Sequence, residues 1–237
     1  MMPTPRRVKL DMHTHCEYSP DSRTPVVVQA RRIKEVGLDV VCATDHDTID
    51  GALRLREIAD GFRVVVGEEI SSRDGEIIGL FLERHVPGGL SAEETIARIK
   101  DQGGIVSVPH PFSRNRLRHI RPSALDRVSS QVDCIEVFNA REAFASDNLR
   151  AAEFARERDI PGAVGSDAHR PSEIGAAWLE VDDFSGHQDF VAALRTGTVR
   201  GSLSGQLIHV WTRWDVFRKW LARVPHPAYP FEAARFA

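Results

Sequence analysis

Short runs rich in apolar and β-branched residues punctuate the chain at 8–10, 40–43, 64–66, 77–82, 105–108, 135–138 and 163–164. Each has the length of a strand. Between most of them the pattern changes to helical signals. Thr24 and Pro25 open a helix that runs to about Val36 and stops at Gly37, and Ser91 with Glu94 forms a capping box for a helix to about Gln102, ended by Gly103 and Gly104. Further helices are predicted over 50–59, 122–128, 141–158 and 190–195. Strands alternating with helices imply a parallel sheet covered on both faces, open and doubly wound or closed into a barrel. About seven such units suit a barrel better. The turn-like Ser72-Arg73-Asp74-Gly75 joins 64–66 to 77–82 as a hairpin, which would interrupt a regular eight-unit barrel.

From Gln206 the character changes. Trp211, Trp214, Phe217, Trp220 and Leu221 recur at helical spacing amid Arg and Lys, ahead of the proline-rich VPHPAYPF. Residues 206–237 are therefore expected to form a helical, Pro-containing tail packed on a barrel domain of residues 1–205.

Composition narrows the class. With 42% hydrophobic and 27% charged residues in 237, the chain can bury a full core, and neither disorder nor a fibrous repeat is indicated. A net charge of -3 gives no bulk attraction to nucleic acid or to a membrane surface, so any anionic ligand must be held locally. Cys16, Cys42 and Cys134 form no spaced cluster, which argues against a disulfide scaffold or a Cys-rich zinc knuckle and for small core residues. The first ten residues lack an apolar signal segment and no later stretch is long enough to cross a bilayer. A cytoplasmic protein with no membrane contact and no obligatory protein partner is expected.

The candidate chemistry sits where predicted strands end. The first strand ends in Asp11-Met12-His13-Thr14-His15, and residues i and i+2 of a strand point the same way, so the two imidazoles face one space. Other strand ends carry Thr44-Asp45-His46, Gly67-Glu68-Glu69-Ile70-Ser71, Pro109-His110-Pro111 and Gly165-Ser166-Asp167-Ala168-His169. In a parallel α/β barrel these ends converge on one face, where active sites are built. Mixed imidazole and carboxylate donors suit borderline divalent ions such as Zn, Mn and Fe, and a bridging carboxylate lets several share a site. Asp21 extends the first segment toward it. Neighbours on a strand face opposite ways, so alternation alone leaves open whether Glu68 or Glu69 points inward.

These motifs, together with Ile135-Glu136-Val137-Phe138-Asn139, resemble the polymerase and histidinol phosphatase (PHP) family over residues 8 to about 175. The resemblance implies a distorted (β/α)7 TIM-like barrel holding two or three divalent ions (Zn, Mn or Fe) at the strand C-termini and hydrolysing phosphate esters. Carried over by residue, His13, His15, Glu69 and Asp167 hold one ion, with Glu69 rather than Glu68 bridging to a second that His110 also holds. Asp21, His46 and His169 hold a third. Many relatives carry a His in a segment like His-x-Leu-Gly where this chain reads Glu76-Ile77-Ile78-Gly79. Glu76 either replaces that His as a metal or leaving-group contact or has left the site. Glu136 and Asn139 are candidates to complete the second ion's shell, with Cys134 and Gln131 as the other local options.

Clustered cations lower the pKa of a bound water and neutralise phosphoryl oxygens, supplying a hydroxide nucleophile without a covalent intermediate. A proton donor for the leaving oxygen is still needed, and His169, Asp45 and Glu76 are candidates. Arg141, Arg114 and Arg116 are candidates to clamp a phosphate. The spacing of Cys16 and Arg23 is one residue too long for a Cys-based phosphatase, and Asp45-His46-Asp47-Thr48 does not match an aspartyl-phosphate motif. The expected function is hydrolysis of a small phosphorylated metabolite, a nucleotide or an oligonucleotide end. A metal-dependent amidohydrolase or deacetylase and a non-catalytic PHP-type module are the alternatives.

Overall fold

The computed structural model describes residues 6–205 and 218–219. Its strands are β1 (Arg7–Thr14), β2 (Val40–Ala43), β3 (Arg63–Ser72), β4 (Gly75–Leu80), β5 (Ile105–Val108), β6 (Cys134–Asn139), β7 (Gly162–Gly165), β8 (Ala177–Asp182) and β9 (Thr198–Gly201). The helices are α1 (Val26–Val36), α2 (Asp50–Ile58), α3 (Ala92–Lys100), α4 (Pro122–Val128), α5 (Ala145–Glu157) and α6 (His187–Arg195). All strands belong to one sheet in the order β7-β6-β5-β4-β3-β2-β1-β8-β9. The expected α/β barrel is thus present, distorted by the antiparallel hairpin of β3 and β4, whose register runs from Gly67 opposite Leu80 to Ser72 opposite Gly75.

Two strands were not expected from the sequence. β8 pairs antiparallel with the first half of β1, from Arg7 opposite Asp182 to Leu10 opposite Leu179, and β9 adds to its far side. The second half of β1 is therefore free to meet β7. There the amide of Asp167 donates to the His13 carbonyl at 2.7 Å, the amide of His15 donates to the Ala168 carbonyl at 2.9 Å, and the amide of Ser166 donates to Asp11 Oδ1 at 2.9 Å. These bonds nearly close the barrel. They also place the ends of the first and seventh strands side by side.

Alternation sorts the strand residues onto two faces. One apolar cluster joins Leu10, Val40, Cys42, Val65, Ile78, Leu80, Ile105, Cys134 and Ala163 to Phe184 and Phe190. The other joins Val41, Ala43, Val66, Val106, Val108 and Ile135 to the buried faces of the helices, including Ile33, Leu55, Ile96, Ile99 and Leu125. Glu69 lies two and four positions from Gly67 and Val65, Glu76 shares a face with Ile78 and Leu80, and Glu136 shares one with Cys134. The first apolar cluster is thus a floor beneath the inward-facing carboxylates. All three cysteines are buried and free, consistent with core packing.

The helices start and stop for local reasons. Ser91 and Glu94 form the predicted capping box, and Gly37 ends α1 at φ 69°, a left-handed conformation that costs glycine little. The helix predicted over 141–158 begins only at Ala145, because Arg141 and Glu142 are drawn into the mouth of the barrel. Nearly all of the expected tail at 206–237 lies outside the described residues. Within it, 218–219 are helical, and Lys219 Nζ donates to the Glu17 carbonyl at 2.8 Å and to that of Ser19. No helix among the described residues is long and apolar enough to cross a membrane.

The close approach of β7 to β1 requires a residue without a side chain. A Cβ on Gly165 would lie 2.4 Å from His13 Cβ and 2.6 Å from Glu136 Oε1, both tightly packed. Gly165→Ala should destabilise the protein by about 1–3 kcal/mol, seen as a loss of several degrees in Tm on thermal denaturation. An unchanged Tm would show that β1 and β7 are not held this close.

Candidate metal centre

Seven of the nine strands among the described residues, β1 to β7, deliver donors to one pocket at the barrel mouth. β1 is bulged between Asp11 and Thr14, and β6 between Glu136 and Phe138, and such irregularities re-aim side chains beside functional sites. His110 and Asp167 have φ of 28° and 53°, in the left-handed region that non-glycine residues rarely adopt. Surrounding structure must hold such strain, and it concentrates where side chains are being positioned.

His13, His15, Glu69 and Asp167 form the tightest group. His13 Nε2 lies 3.1 Å from Glu69 Oε2 and 3.7 Å from Asp167 Oδ1, and His15 Nε2 lies 3.3 Å and 3.4 Å from the same two oxygens. Nitrogen and oxygen ligands stand about 2.0–2.2 Å from a zinc-like ion, so the corners of such a tetrahedron are about 3.4 Å apart. The four atoms match that spacing. Although close to oxygens, His15 Nε2 has no hydrogen-bond partner, and neither has Asp167 Oδ1. They face a common centre rather than each other.

Glu69 is shared. Its second oxygen, Oε1, is 3.1 Å from His110 Nε2, while Oε2 is also 3.4 Å from His46 Nδ1. Glu76 lies inside the pocket, 3.9 Å from both His46 Nδ1 and His110 Nε2, so its departure from the relatives' histidine has not removed it from the site. On the far side of His46, its Nε2 lies 3.4 Å from Asp21 Oδ2, which also sits 2.8 Å from His169 Nε2. The groups able to hold an ion are thus His13/His15/Asp167, His46/Glu69/Glu76, His13/His110/Glu136 and His15/Asp21/His46/His169.

Electrostatically, the buried carboxylates favour positive charge in the pocket. Burial alone would lower the pKa of His13, but Asp167, Glu69 and Glu136 hold it well above the ordinary histidine value. His46 is likewise lifted against burial by Glu69 and Asp21. Burial would raise Glu69, yet His13, His46 and His110 hold it well below the usual carboxylate range. Protons on imidazole here occupy the place that divalent ions would take among buried carboxylates. His169 differs: burial and the Arg141 guanidinium push it down to about 4, leaving a neutral imidazole. That is the ligand form and not a proton donor near neutral pH.

Supporting contacts orient the donors. His13 Nδ1 lies 3.1 Å from Glu136 Oε1, and Glu136 Oε2 accepts from the His110 amide at 2.8 Å and from Asn139 Nδ2 at 3.0 Å. Asn139 Nδ2 also donates to Asp167 Oδ2 at 3.0 Å. Glu136 and Asn139 therefore brace the candidate donors; with Nδ1 of His13 held by Glu136, its Nε2 is the nitrogen turned to the pocket. Ser19 does the same for His15, its Oγ lying 2.9 Å from His15 Nδ1 while accepting from the His46 amide at 2.9 Å. Asp11, Ser19 and Glu173, whose Oε2 accepts from the His169 amide at 2.7 Å, were not singled out in the sequence. Only Asp11 carried a signal, two positions before His13.

Several expectations need correction. Asp45 turns away from the cluster: its Oδ1 accepts from the Cys16 amide at 2.7 Å and its Oδ2 faces Cys16 Sγ at 2.8 Å, so it anchors a loop and does not serve as a proton donor. Arg141 is 3% exposed and donates to the Asp167 carbonyl at 3.3 Å and to His169 Nδ1, beneath the ligands and not toward a substrate. Arg114 is tied to Asp147 at 2.8 Å and stacks on Phe144 at the start of α5. Of the three arginines, Arg116 reaches the cluster, donating to Asp167 Oδ2 and to Asn139 Oδ1 at 3.4 Å. Gln131 is exposed and Cys134 lies in the floor, so neither completes a shell. Glu68 faces the opposite side, where its oxygens meet His85 Nδ1 at 2.7 Å and the Val86 amide at 3.0 Å.

Comparison with known proteins gives concordant likenesses. A family model described as PHP-associated matches residues 145–199, which include Asp167 and His169. The uncharacterized protein MJ0417 of Methanocaldococcus jannaschii is 32% identical over 222 residues, spanning 87% of this chain and 89% of its own. The uncharacterized protein MJ1587 of the same organism is 41% identical over 150 residues, spanning 56% of this chain and 82% of its own. Among solved structures, PsfC from Pseudomonas syringae PB-5123 superposes with a TM-score of 0.66 at 20% identity, over 91% of this chain and 99% of that one. A two-domain Bacteroides vulgatus protein containing a predicted PHP-like metal-dependent phosphoesterase gives 0.66 at 18% identity, over 91% and 70%. The lesion-specific endonuclease PfuEndoQ from Pyrococcus furiosus gives 0.58 at 18% identity, over 82% and 57%. At these identities the structures show a shared fold.

Glu136→Gln keeps the shape of the brace but removes its charge. It should weaken metal binding by about 10–100-fold, measured by calorimetric titration of metal-free protein. An affinity equal to that of the unaltered protein would mean that Glu136 does not orient His13.

Proposed function

Because the chain belongs to the PHP domain family, we propose that it is a metal-dependent phosphoesterase. Its substrate is a small phosphorylated metabolite, a nucleotide or an oligonucleotide end. The observation that carries this reading is the convergence of His13, His15, Glu69 and Asp167 at ligand spacing, with the second oxygen of Glu69 turned to His110. His13, His15, Glu69 and Asp167 would hold one divalent ion, Glu69 and His110 a second, and Asp21, His46 and His169 a third. Bound there, such ions supply Lewis acidity toward phosphoryl oxygens and acidify water at neutral pH.

The chain's own residues do the rest. Glu136 and Ser19 fix the outer nitrogens of His13 and His15, so that both present Nε2 inward. Arg116, with its side chain 19% exposed, is the cation at the rim of the cluster. Its planar fork, now donating to Asp167 Oδ2 and Asn139 Oδ1, would offer its N–H groups to a phosphoryl oxygen at the same edge of the pocket. Arg141 and Glu173 grip His169 from the ring's Nδ1 side and from its backbone, and hold it toward Asp21. The apolar floor keeps the inner end of the pocket free of polar competitors for the ligands.

Phosphate release should be assayed on phosphomonoesters, mononucleotides and short oligonucleotides after supply of Mn, Zn or Fe. The reading predicts release that a chelator abolishes and that metal restores. His13→Ala and Asp167→Ala, which remove ligands and not merely braces, should each lose more than about 100-fold in rate. Full activity in either variant would overturn the assignment.

A further inference from the structure

The loop that follows β5 carries arginine at 114, 116, 118 and 121. The four side chains fan out across the barrel mouth. Arg114 turns to Asp147 beside α5 and Arg116 to Asp167, whereas Arg118 and Arg121 turn the other way, to the tip of the β3–β4 hairpin. Between that tip and the loop lies a cleft of about 390 Å³, lined among others by Ser71, Arg73, Glu76, Leu117, Arg118 and Arg121. Its walls are tied together. The Glu76 amide donates to the Arg118 carbonyl and the Arg121 amide to the Asp74 carbonyl, both at 2.8 Å. Gly75 packs so tightly that a Cβ there would lie 2.5 Å from the His119 carbonyl oxygen. Glu76, which faces His46 and His110, lines both the cleft and the metal cluster, so the two are contiguous.

The arginines of the cleft differ in what they already hold. Arg121 donates to Asp74 Oδ1 at 2.7 Å, and Arg73 Nη2 lies 3.2 Å from Glu94 Oε2. Arg118 has no carboxylate partner among the described residues; its Nη1 donates to a neutral hydroxyl, Ser71 Oγ, at 3.3 Å. Ser71 is two residues beyond Glu69 and opposite Glu76, so it lies on the Glu69 face of β3, about 7 Å further out. A guanidinium without a counter-charge thus stands one strand repeat from the cluster, and a guanidinium fork matches phosphoryl oxygens. In a chain of net charge -3, such a local cation is what draws an anion to this place. We infer that the cleft is a second phosphate subsite, in which Arg118, with Arg73 at the rim, binds a phosphoryl group other than the one being hydrolysed. Leu117, fully exposed in the same cleft, gives apolar contact to the part of the substrate between the two groups. The substrate then carries two phosphates, either on one small molecule or as the neighbouring phosphodiester of a short strand. This rests on the phosphoesterase reading and narrows its substrate class.

The test compares paired compounds on the metal-loaded protein: fructose 6-phosphate with fructose 1,6-bisphosphate, and AMP with the 5′-phosphorylated adenosine dinucleotide. The member with two phosphates should be favoured by at least about tenfold in kcat/KM in one of the pairs, as a charge-assisted hydrogen bond supplies. Preference within the sugar pair names a small bisphosphorylated molecule as the source, and preference within the adenosine pair names a strand. Arg118→Gln should bring that ratio close to one, and Arg118→Lys, which keeps the charge, should retain part of it. Arg118 is exposed, so neither change disturbs the core. A compound that is not hydrolysed is compared instead by calorimetric titration of the same metal-loaded protein. Equal values within both pairs, or a preference that Arg118→Gln leaves intact, would overturn the subsite. Hydrolysis without the preference refutes the subsite alone, whereas tighter binding of the two-phosphate compound without any hydrolysis refutes the phosphoesterase and leaves the subsite standing.

Discussion

The structure depends on like charges buried together. Glu69, Glu76 and Asp167 lie at the mouth of the barrel with at most 4% of each exposed, and Glu136, Glu142 and Glu173 are buried around them. An isolated carboxylate moved from water to such a place costs several kcal/mol even after relaxation. Among the described residues the compensating groups are five imidazoles and the guanidiniums of Arg116 and Arg141. The imidazoles meet the carboxylates at spacings of 2.8–3.9 Å that suit a shared ion as well as they suit a proton. The group is stable as a set and unstable in pieces. That is the physical reason residues from distant parts of the chain are tied together here.

The fold serves this constraint. Because β8 pairs only with the first half of β1, the second half can lean on β7, and that contact sets Asp167 against His13 and His15. The bulge in β1, the left-handed backbone at His110 and Asp167, and the bare Cα of Gly165 are local departures from regular structure, and each lies within contact of a ligand. Away from the mouth the sheet is regular and its core is ordinary aliphatic packing.

Much of this was legible in the sequence. All seven predicted strand runs became strands because a sheet buried on both faces demands apolar, β-branched segments of that length. The candidate donors stood out because five of those runs end in His, Asp or Glu. β8 went unread although Ala177, Leu179 and Val181 alternate with Trp178, Glu180 and Asp182, because Glu180 and Asp182 break the apolar run; β9 is four exposed residues with no core pattern. Side-chain direction was the weakest point. Asp45 adjoins His46 in a ligand-bearing motif yet bonds Cys16, and Arg141 follows a site strand yet is buried beneath it. Sequence distance locates a loop, while the direction of each side chain depends on partners elsewhere in the chain. Alternation did settle Glu69 over Glu68 once the apolar floor was known.

The most direct measurement is anomalous X-ray scattering at the manganese, iron and zinc edges from crystals of the purified protein. Density peaks between His13, His15, Glu69 and Asp167, and beside His110 and His169, are predicted. A well-ordered cluster with no anomalous density after loading, its carboxylates still bonded to imidazole and Arg116, would contradict the metal centre.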